Sequence, residues 1–204
     1  TSVALLYAYF SKIYPHITPY IPDRYQEGYG VSYQGIDFAH DNEISLIIAL
    51  DCGIKAIEKV AYAKEKGIDF IICDHHRPGA EIPAAVAVLD PKQKDCSYPY
   101  KELCGCGVGF KLLQAFHEKE NKEFNELIPY LDLVATAIGS DIVPITGENR
   151  ILAFHGLKQI NQKPRPGFQA IIQLTNKKEL TISAGKANVF SLAFIPLIVV
   201  ILVA

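Results

Sequence analysis

The stretch Ser45-Leu46-Ile47-Ile48-Ala49-Leu50-Asp51-Cys52-Gly53 decides the fold, and Asp69-Phe70-Ile71-Ile72-Cys73-Asp74-His75-His76 repeats its design. Each is a short, continuous apolar run that ends in an acidic residue, as expected of a strand buried on both faces of a parallel sheet. Between them, residues 55–66 have apolar side chains at helical spacing, and Gly67 follows as a stop signal. The sequence therefore predicts a strand–helix–strand unit. Because ligands gather beyond the carboxyl ends of strands in open α/β sheets, we expect both acidic ends to face one crevice.

The composition is that of an ordinary globular protein. The chain has 204 residues, half of them apolar and 21% charged, enough for one large domain or for a domain with an extra helical piece. Its net charge of −2 argues against a wholly basic nucleic-acid binder. From Arg150 onward, however, seven basic residues accompany one acidic residue, so this part carries +6 and the preceding part −8. The asymmetry indicates either an anionic partner for the C-terminal third or a merely solvated basic face.

The five cysteines and the N-terminus bear on the compartment. The number of cysteines is odd and no secretory signal opens the sequence, which favours a reduced, cytoplasmic protein. Cys104-Gly105-Cys106 has no second ligand pair at zinc spacing, and we interpret it as part of a tight glycine-rich turn.

The remaining patterns predict further strands and helices around the central unit. The predicted strands are 17–21 and 84–89, and the predicted helices are 1–13, 31–41, 110–119, 124–138, 149–157 and 168–174. The expected fold class is α/β, a parallel β-sheet flanked by helices, with additional helices towards the C-terminus. We expect a core over 1–148, a helical extension over 149–183 and an apolar tail over 184–204.

The end of the tail, residues 189–204, is almost purely apolar but short of the roughly 20 residues that span a bilayer. A buried strand or helix is the first interpretation. A membrane segment is the second, and a tail foreign to the domain is the third.

Asp51, Asp74, His75 and His76 together form a candidate metal site. Carboxylate and imidazole ligands suit Mn²⁺ or a similar divalent ion, and a carboxylate can bridge two ions that act on a phosphoryl group. Each residue by itself could equally be a helix cap, an ion-pair partner or a satisfied polar group. Their grouping at neighbouring strand ends favours a metal site.

The residues around these strand ends carry a family resemblance. Leu50-Asp51-Cys52-Gly53-Ile54 and Cys73-Asp74-His75-His76 resemble the second and third motifs of the DHH phosphoesterase superfamily. Within that superfamily, further blocks resemble the bacterial RecJ-type single-strand-specific DNA exonucleases, namely 21–30, 105–111, 140–144 and 147–150. The likeness covers residue 1 to about residue 183, with the blocks in the same order and spacing.

The resemblance implies a two-Mn²⁺ site, with Mg²⁺ as the alternative, that hydrolyses phosphodiesters of single-stranded DNA in DNA repair. Asp51 would be the carboxylate shared by both ions, with His75 and Asp141 as ligands of one of them. His76 would contact the scissile phosphate, and Asp74 would orient a histidine. The candidates for holding the nucleic-acid backbone are Arg24, Arg150 and, more weakly, Lys111.

Two departures from the family pattern lead us to expect a fragment. The family's first Asp-rich motif, which supplies further metal ligands, would precede the helix that opens this sequence, and residues 184–204 do not match the family's polar continuation. With ligands missing, we expect weak metal binding and little cleavage. The alternatives are a DHH enzyme of small substrates, such as short oligonucleotides, cyclic dinucleotides or pyrophosphate, and a non-catalytic DNA- or protein-binding scaffold.

Overall fold

A computed structural model describes residues 1–174, 180 and 199–203, and within these ranges the chain forms one sheet with helices on both faces. The strands are β1 Ile17–Tyr20, β2 Leu46–Leu50, β3 Asp69–Cys73, β4 Ala87–Leu89 and β5 Val199–Val203. The helices are α1 Ser2–Phe10, α2 Tyr33–Asp41, α3 Ile57–Glu65, α4 Gly105–Lys119, a 3₁₀ segment Phe124–Tyr130, α5 Leu131–Ser140, α6 Gly147–Gln162 and α7 Pro166–Leu174.

The sheet order is β1-β5-β2-β3-β4, and this confirms the predicted α/β class. β2, β3 and β4 are mutually parallel, whereas β5 is antiparallel to both of its neighbours. β1 therefore runs in the same direction as β2, β3 and β4. The first interpretation of residues 189–204 is a buried strand or helix, and the chain forms a strand at 199–203; residues 189–198 and 204 lie outside the described part of the chain.

The β2–α3–β3 unit has the predicted form, and its register positions the polar residues that follow. Leu46 pairs with Asp69 and Leu50 with Cys73, so the two strands end level with each other. The ladder continues one step further, because the backbone N–H of Asp51 donates to the carbonyl of Cys73 at 2.8 Å. Asp51 and Asp74 therefore leave the sheet at the same edge.

Alternate strand residues enter two different core layers. Ile48 and Leu50 of β2 pack on the side of α1, α4 and α5, whereas Ile47 and Ala49 pack on the side of α2 and α3. This is why the strand appears in the sequence as a continuous apolar run rather than as an alternating one.

Two local predictions are wrong. Residues 124–138 are not one helix, because 124–130 form a 3₁₀ segment containing Pro129 and the α-helix begins only at Leu131. Proline lacks the N–H that a continuous α-helix would need at that point. The glycine-rich stretch after Cys104 is not a turn either; Gly105 is the first residue of α4, and Cys104 caps it by accepting the N–H of Gly107 on its sulfur at 3.2 Å.

α6 packs along α5, and α7 joins them through a small cluster that includes Phe168 and Ile160. The division of the chain at 148 and 183 stays a prediction. None of the helices in the described ranges combines the length and the apolar character that crossing a membrane requires.

Candidate metal centre

Asp51 lies at the end of β2 in an uncommon backbone conformation. Its φ is +64°, which a non-glycine residue adopts at some cost and aspartate tolerates better than most. The conformation turns the side chain towards the first turn of α4. A Cβ on Gly105 would overlap the Asp51 carboxylate and lie 2.7 Å from its Cβ, so only glycine leaves room for this acid. The carboxylate thus lies at the N-terminus of α4, where the helix dipole favours negative charge.

Asp74 follows β3 and organises the two histidines after it. It is almost fully buried, and its Oδ1 accepts the N–H groups of His75 and His76 at 2.8 and 3.2 Å. Oδ1 also lies 2.7 Å from Nδ1 of His76, and Oδ2 accepts the N–H of Ile54 at 3.0 Å. Asp74 therefore fixes both the turn after β3 and the orientation of the His76 ring.

Asp141 reaches the same place from the far part of the chain. It is the first residue after α5, extended at φ −90° and ψ 155°, with its N–H donating to the carbonyl of Ala137 at 2.9 Å. Its Oδ2 lies 3.5 Å from Nε2 of His75, and Oδ1 of Asp51 lies 3.2 Å from the same nitrogen. The structure therefore brings together Asp51, His75 and Asp141, three residues from separate parts of the sequence.

The spacing and the open valences of these groups fit a divalent ion. Neighbouring ligand atoms around an octahedral ion at about 2.1 Å lie about 3 Å apart, close to the two contacts of His75 Nε2. One ligand atom each of Asp51, His75 and His76 lie within 4.8 Å of one another. Among the described residues, the buried Oδ1 of Asp51 has no aligned hydrogen-bond partner. A cation would complete this mixed carboxylate and imidazole set.

The pKa shifts agree with a concentration of negative charge at this site. Burial raises the pKa of Asp141 and the charge of Asp51 adds to this, although His75 opposes it. Burial would lower the pKa of His75, but its contact with Asp51 and the charge of Asp141 outweigh burial and raise it. The hydrogen bond to Asp74 raises the pKa of His76. Burial would raise the pKa of Asp74, but the bonds from His76 and the Ile54 N–H lower it.

The three residues predicted to hold the nucleic-acid backbone have different surroundings. Arg24 is exposed and lies over the ring of Tyr29, with 6.0 Å from Cζ to the ring centroid. Arg150 is exposed in the first turn of α6. Lys111 is already paired, because its Nζ lies 2.6 Å from Oε1 of Glu148, whose Oε2 accepts the hydroxyl of Tyr98 at 2.6 Å. Lys111 therefore links α4 to α6 through Glu148.

Two neighbours of the centre were not predicted. Gly105 was interpreted as a turn residue, and nothing in its local sequence indicates contact with an acid 54 positions earlier. Tyr29 lies with its ring centroid 6.4 Å from that of His76, and partial burial together with the charge of Asp51 raises its pKa to about 12. Its only signal was its place in the 21–30 block.

The fold and this constellation define a class of protein: an α/β domain with side chains that could hold a divalent metal ion at the carboxyl edge of its sheet. Residues 1–138 match the DHH family, N-terminal domain, and the chain belongs to that family.

The relatives of this chain include single-stranded-DNA-specific exonucleases. The chain is 38% identical over 194 residues to the single-stranded-DNA-specific exonuclease RecJ of Bacillus subtilis, covering 95% of this chain and 23% of that protein. It is 36% identical over 175 residues to RecJ of Escherichia coli, covering 81% of this chain and 30% of that protein. The chain thus spans less than a third of these relatives.

Solved structures agree with this assignment. An exonuclease RecJ bound to manganese superposes with a TM-score of 0.68 at 30% identity, covering 83% of this chain and 41% of that one. RecJ of Thermus thermophilus in complex with Mn²⁺ superposes with a TM-score of 0.62 at 26% identity, covering 78% of this chain and 22% of that one.

Proposed function

We propose that this chain is the metal-binding part of a RecJ-like exonuclease that hydrolyses phosphodiesters of single-stranded DNA in cytoplasmic DNA repair. The observation that carries the proposal is the convergence of Asp51, His75 and Asp141 at one edge of the sheet, in a chain whose relatives are named for this activity. The expected ions are Mn²⁺, as in the related structures, or Mg²⁺.

In this proposal each residue has one task. Asp51, with Oδ1 towards His75 and a second oxygen available, would be the shared carboxylate, and His75 and Asp141 would complete the ligand set of one ion. When bound, such ions lower the pKa of a coordinated water and offset charge on the phosphate. Because Asp74 engages Nδ1 of His76, the ring's Nε2 is the nitrogen left to meet the scissile phosphate.

The RecJ relatives favour this function over the two alternatives that the sequence left open, an enzyme of small substrates and a non-catalytic scaffold. The choice of substrate distinguishes the proposed function from an enzyme of small substrates. Hydrolysis itself distinguishes it from a non-catalytic scaffold. A RecJ-like domain should release nucleotides from single strands only when the metal is present, and it should leave duplexes of the same sequence largely intact.

The decisive substitution is Asp51→Asn, since asparagine keeps the shape and also tolerates positive φ, whereas the charge is lost. We expect Mn²⁺ affinity, measured by isothermal titration calorimetry, to fall by about a hundredfold or more. This loss is larger than that caused by removing a residue that only hydrogen-bonds to a metal ligand. Hydrolysis of an end-labelled single strand, followed with protein in excess because little cleavage is expected, should fall below detection.

The matched control is Asp69→Asn, which makes the same change at the opposite end of β3, on an exposed residue. It should leave both measurements unchanged. Equal Mn²⁺ binding and equal hydrolysis by the Asp51→Asn and unaltered chains would contradict the site, and equal digestion of duplex and single strand would contradict the proposed substrate.

A further inference from the structure

A cleft of about 680 Å³ begins at Arg77, the residue after His76, and has no part in the ligand set described above. Its walls come from the segment that follows His76 and from the segment between β4 and α4. The charged residues that line it are Arg77, Lys92, Lys94, Asp95, Lys101 and Glu102. We call it the basic cleft, since four cations there outnumber two acids.

This positive charge stands out against its surroundings. The chain before Arg150 carries a net charge of −8, yet the basic cleft within that part carries +2. Lys92 is only loosely paired with Glu102, at 3.5 Å, and Lys101 donates to the carbonyl of Cys96 at 2.6 Å. Arg77 and Lys94 are exposed and form no ion pair with any residue that the structure describes. Their charge is therefore available to an anionic ligand.

The basic cleft follows the same edge of the sheet as the candidate metal centre. Arg77 is the residue directly after His76, so the cleft begins where the proposed phosphate contact ends. Pro91 and Lys92 follow β4, the strand beside β3, and extend the cleft along the same edge of the sheet. The volume is within the range of about 300–1,000 Å³ typical of ligand sites, which suits a short length of an extended chain.

We propose that the basic cleft binds the sugar–phosphate backbone of single-stranded DNA next to the metal centre; this inference rests on the proposed function and adds a path for the strand. The lining combines cations with small apolar residues such as Pro78 and Ile82, and none of the described residues that form it has an aromatic ring on which a base could stack. Contacts of this kind give salt-sensitive affinity without sequence preference. The residues predicted from the sequence to hold the strand, Arg24, Arg150 and Lys111, do not line this cleft.

The test is the double substitution Arg77→Gln with Lys94→Gln. Binding of a fluorescein-labelled oligo-dT would be followed by anisotropy in EDTA, across a series of salt concentrations, so that neither metal nor hydrolysis contributes. Each lost phosphate contact should reduce the slope of log affinity against log salt by about 0.7, so the double variant should lose about 1.4. Its affinity at low salt should fall about tenfold or more.

The matched control is Lys64→Gln with Lys119→Gln, two exposed lysines near the C-terminal ends of α3 and α4 with the same change in charge. This variant should retain both the affinity and the slope. Circular dichroism would verify that all variants are folded.

Several results would overturn the proposal. One is an unchanged salt slope in the double variant, and another is an equal loss of affinity or slope in the control variant. A third is the absence of oligo-dT binding by the unaltered chain, whether or not the chain binds a polyglutamate peptide as a different anionic polymer. A failure of the exonuclease proposal would look different. Mn²⁺-dependent hydrolysis would then be absent while the salt slope still changed, and the cleft would remain a binding site for single strands.

Discussion

Helices α4 and α6 each approach a neighbour closely at a glycine, and the two contacts differ in what lies opposite. A Cβ on Gly156 of α6 would overlap the carbonyl oxygen of Leu131 and crowd the Cβ of Ala135, both on α5. A Cβ on Gly105 of α4 would instead overlap the side chain of Asp51. One contact is backbone against backbone inside the core, and the other is backbone against the carboxylate of Asp51.

The difference separates folding from function. The groups opposite Gly156 cannot rotate away, so an added methyl must push two helices apart. Asp51 can turn its carboxylate aside and so move the acid away from His75, whereas its Cβ, 2.7 Å from the added carbon, cannot rotate and requires a small shift of α4. The same one-atom change should therefore act mainly on stability at α6 and mainly on metal binding at α4.

The largest expected effect is on stability, for Gly156→Ala. Overpacking against the α5 backbone should lower the free energy of unfolding by about 2–3 kcal/mol, even though alanine favours a helix more than glycine does. For a chain of this size the midpoint of thermal unfolding should fall by about 4–12 °C, as measured by circular dichroism. The matched control is Gly167→Ala in α7, where a Cβ would have nothing within 4 Å. If both variants melted alike, the close contact between α5 and α6 would be in error.

The second effect is on metal binding, for Gly105→Ala. Displacing the Asp51 carboxylate should weaken Mn²⁺ binding about 10- to 100-fold by calorimetry, the range found when the support of a ligand is removed. The melting midpoint should change by less than for Gly156→Ala. Gly107→Ala is the control two residues along the same helix, because its Cβ would make only ordinary contacts, 3.4 Å or more, with Leu103 and Cys104. A loss of affinity equal in both variants would mean that α4 as a whole, rather than the room at Gly105, supports the site.

Much of the arrangement could be predicted because it is local. The apolar runs of β2 and β3, with helical spacing between them, are sufficient to predict a parallel pair, and parallel strands place Asp51 and Asp74 at one edge. Asp141 entered the predicted site through family resemblance alone, since nothing in its own neighbourhood distinguishes it from a helix cap.

The rest depends on tertiary structure. The contact of Gly105 with Asp51 arises only when α4 docks on the sheet, and the basic cleft forms only when the segments before and after β4 meet. An apolar run such as that of β5 predicts a buried strand or helix and carries no information on strand direction, which is why its antiparallel pairing with β2 could not be foreseen.

The smallest effect is a pH dependence that should appear at the contact of Gly105 with Asp51 and not at the contact of Gly156 with α5. Because Asp51 and Asp141 raise the pKa of His75, a proton competes with the metal to a higher pH than at an ordinary histidine. Mn²⁺ affinity should therefore rise with pH by about tenfold per unit below that pKa and level off above it.

The stability of the metal-free chain should depend on pH in the opposite direction and fall as pH rises. The raised pKa values of His75 and His76 stabilise the fold fully below the ordinary value near 6.5, and this contribution is lost as pH rises through the raised values. Calorimetry and thermal melts over about pH 5.5–8 would measure both trends. The melting deficit of Gly156→Ala should stay constant across this range, since the nearest atoms facing that glycine belong to Leu131 and Ala135, which do not titrate. Mn²⁺ affinity that stayed constant as well would mean that His75 is not a ligand.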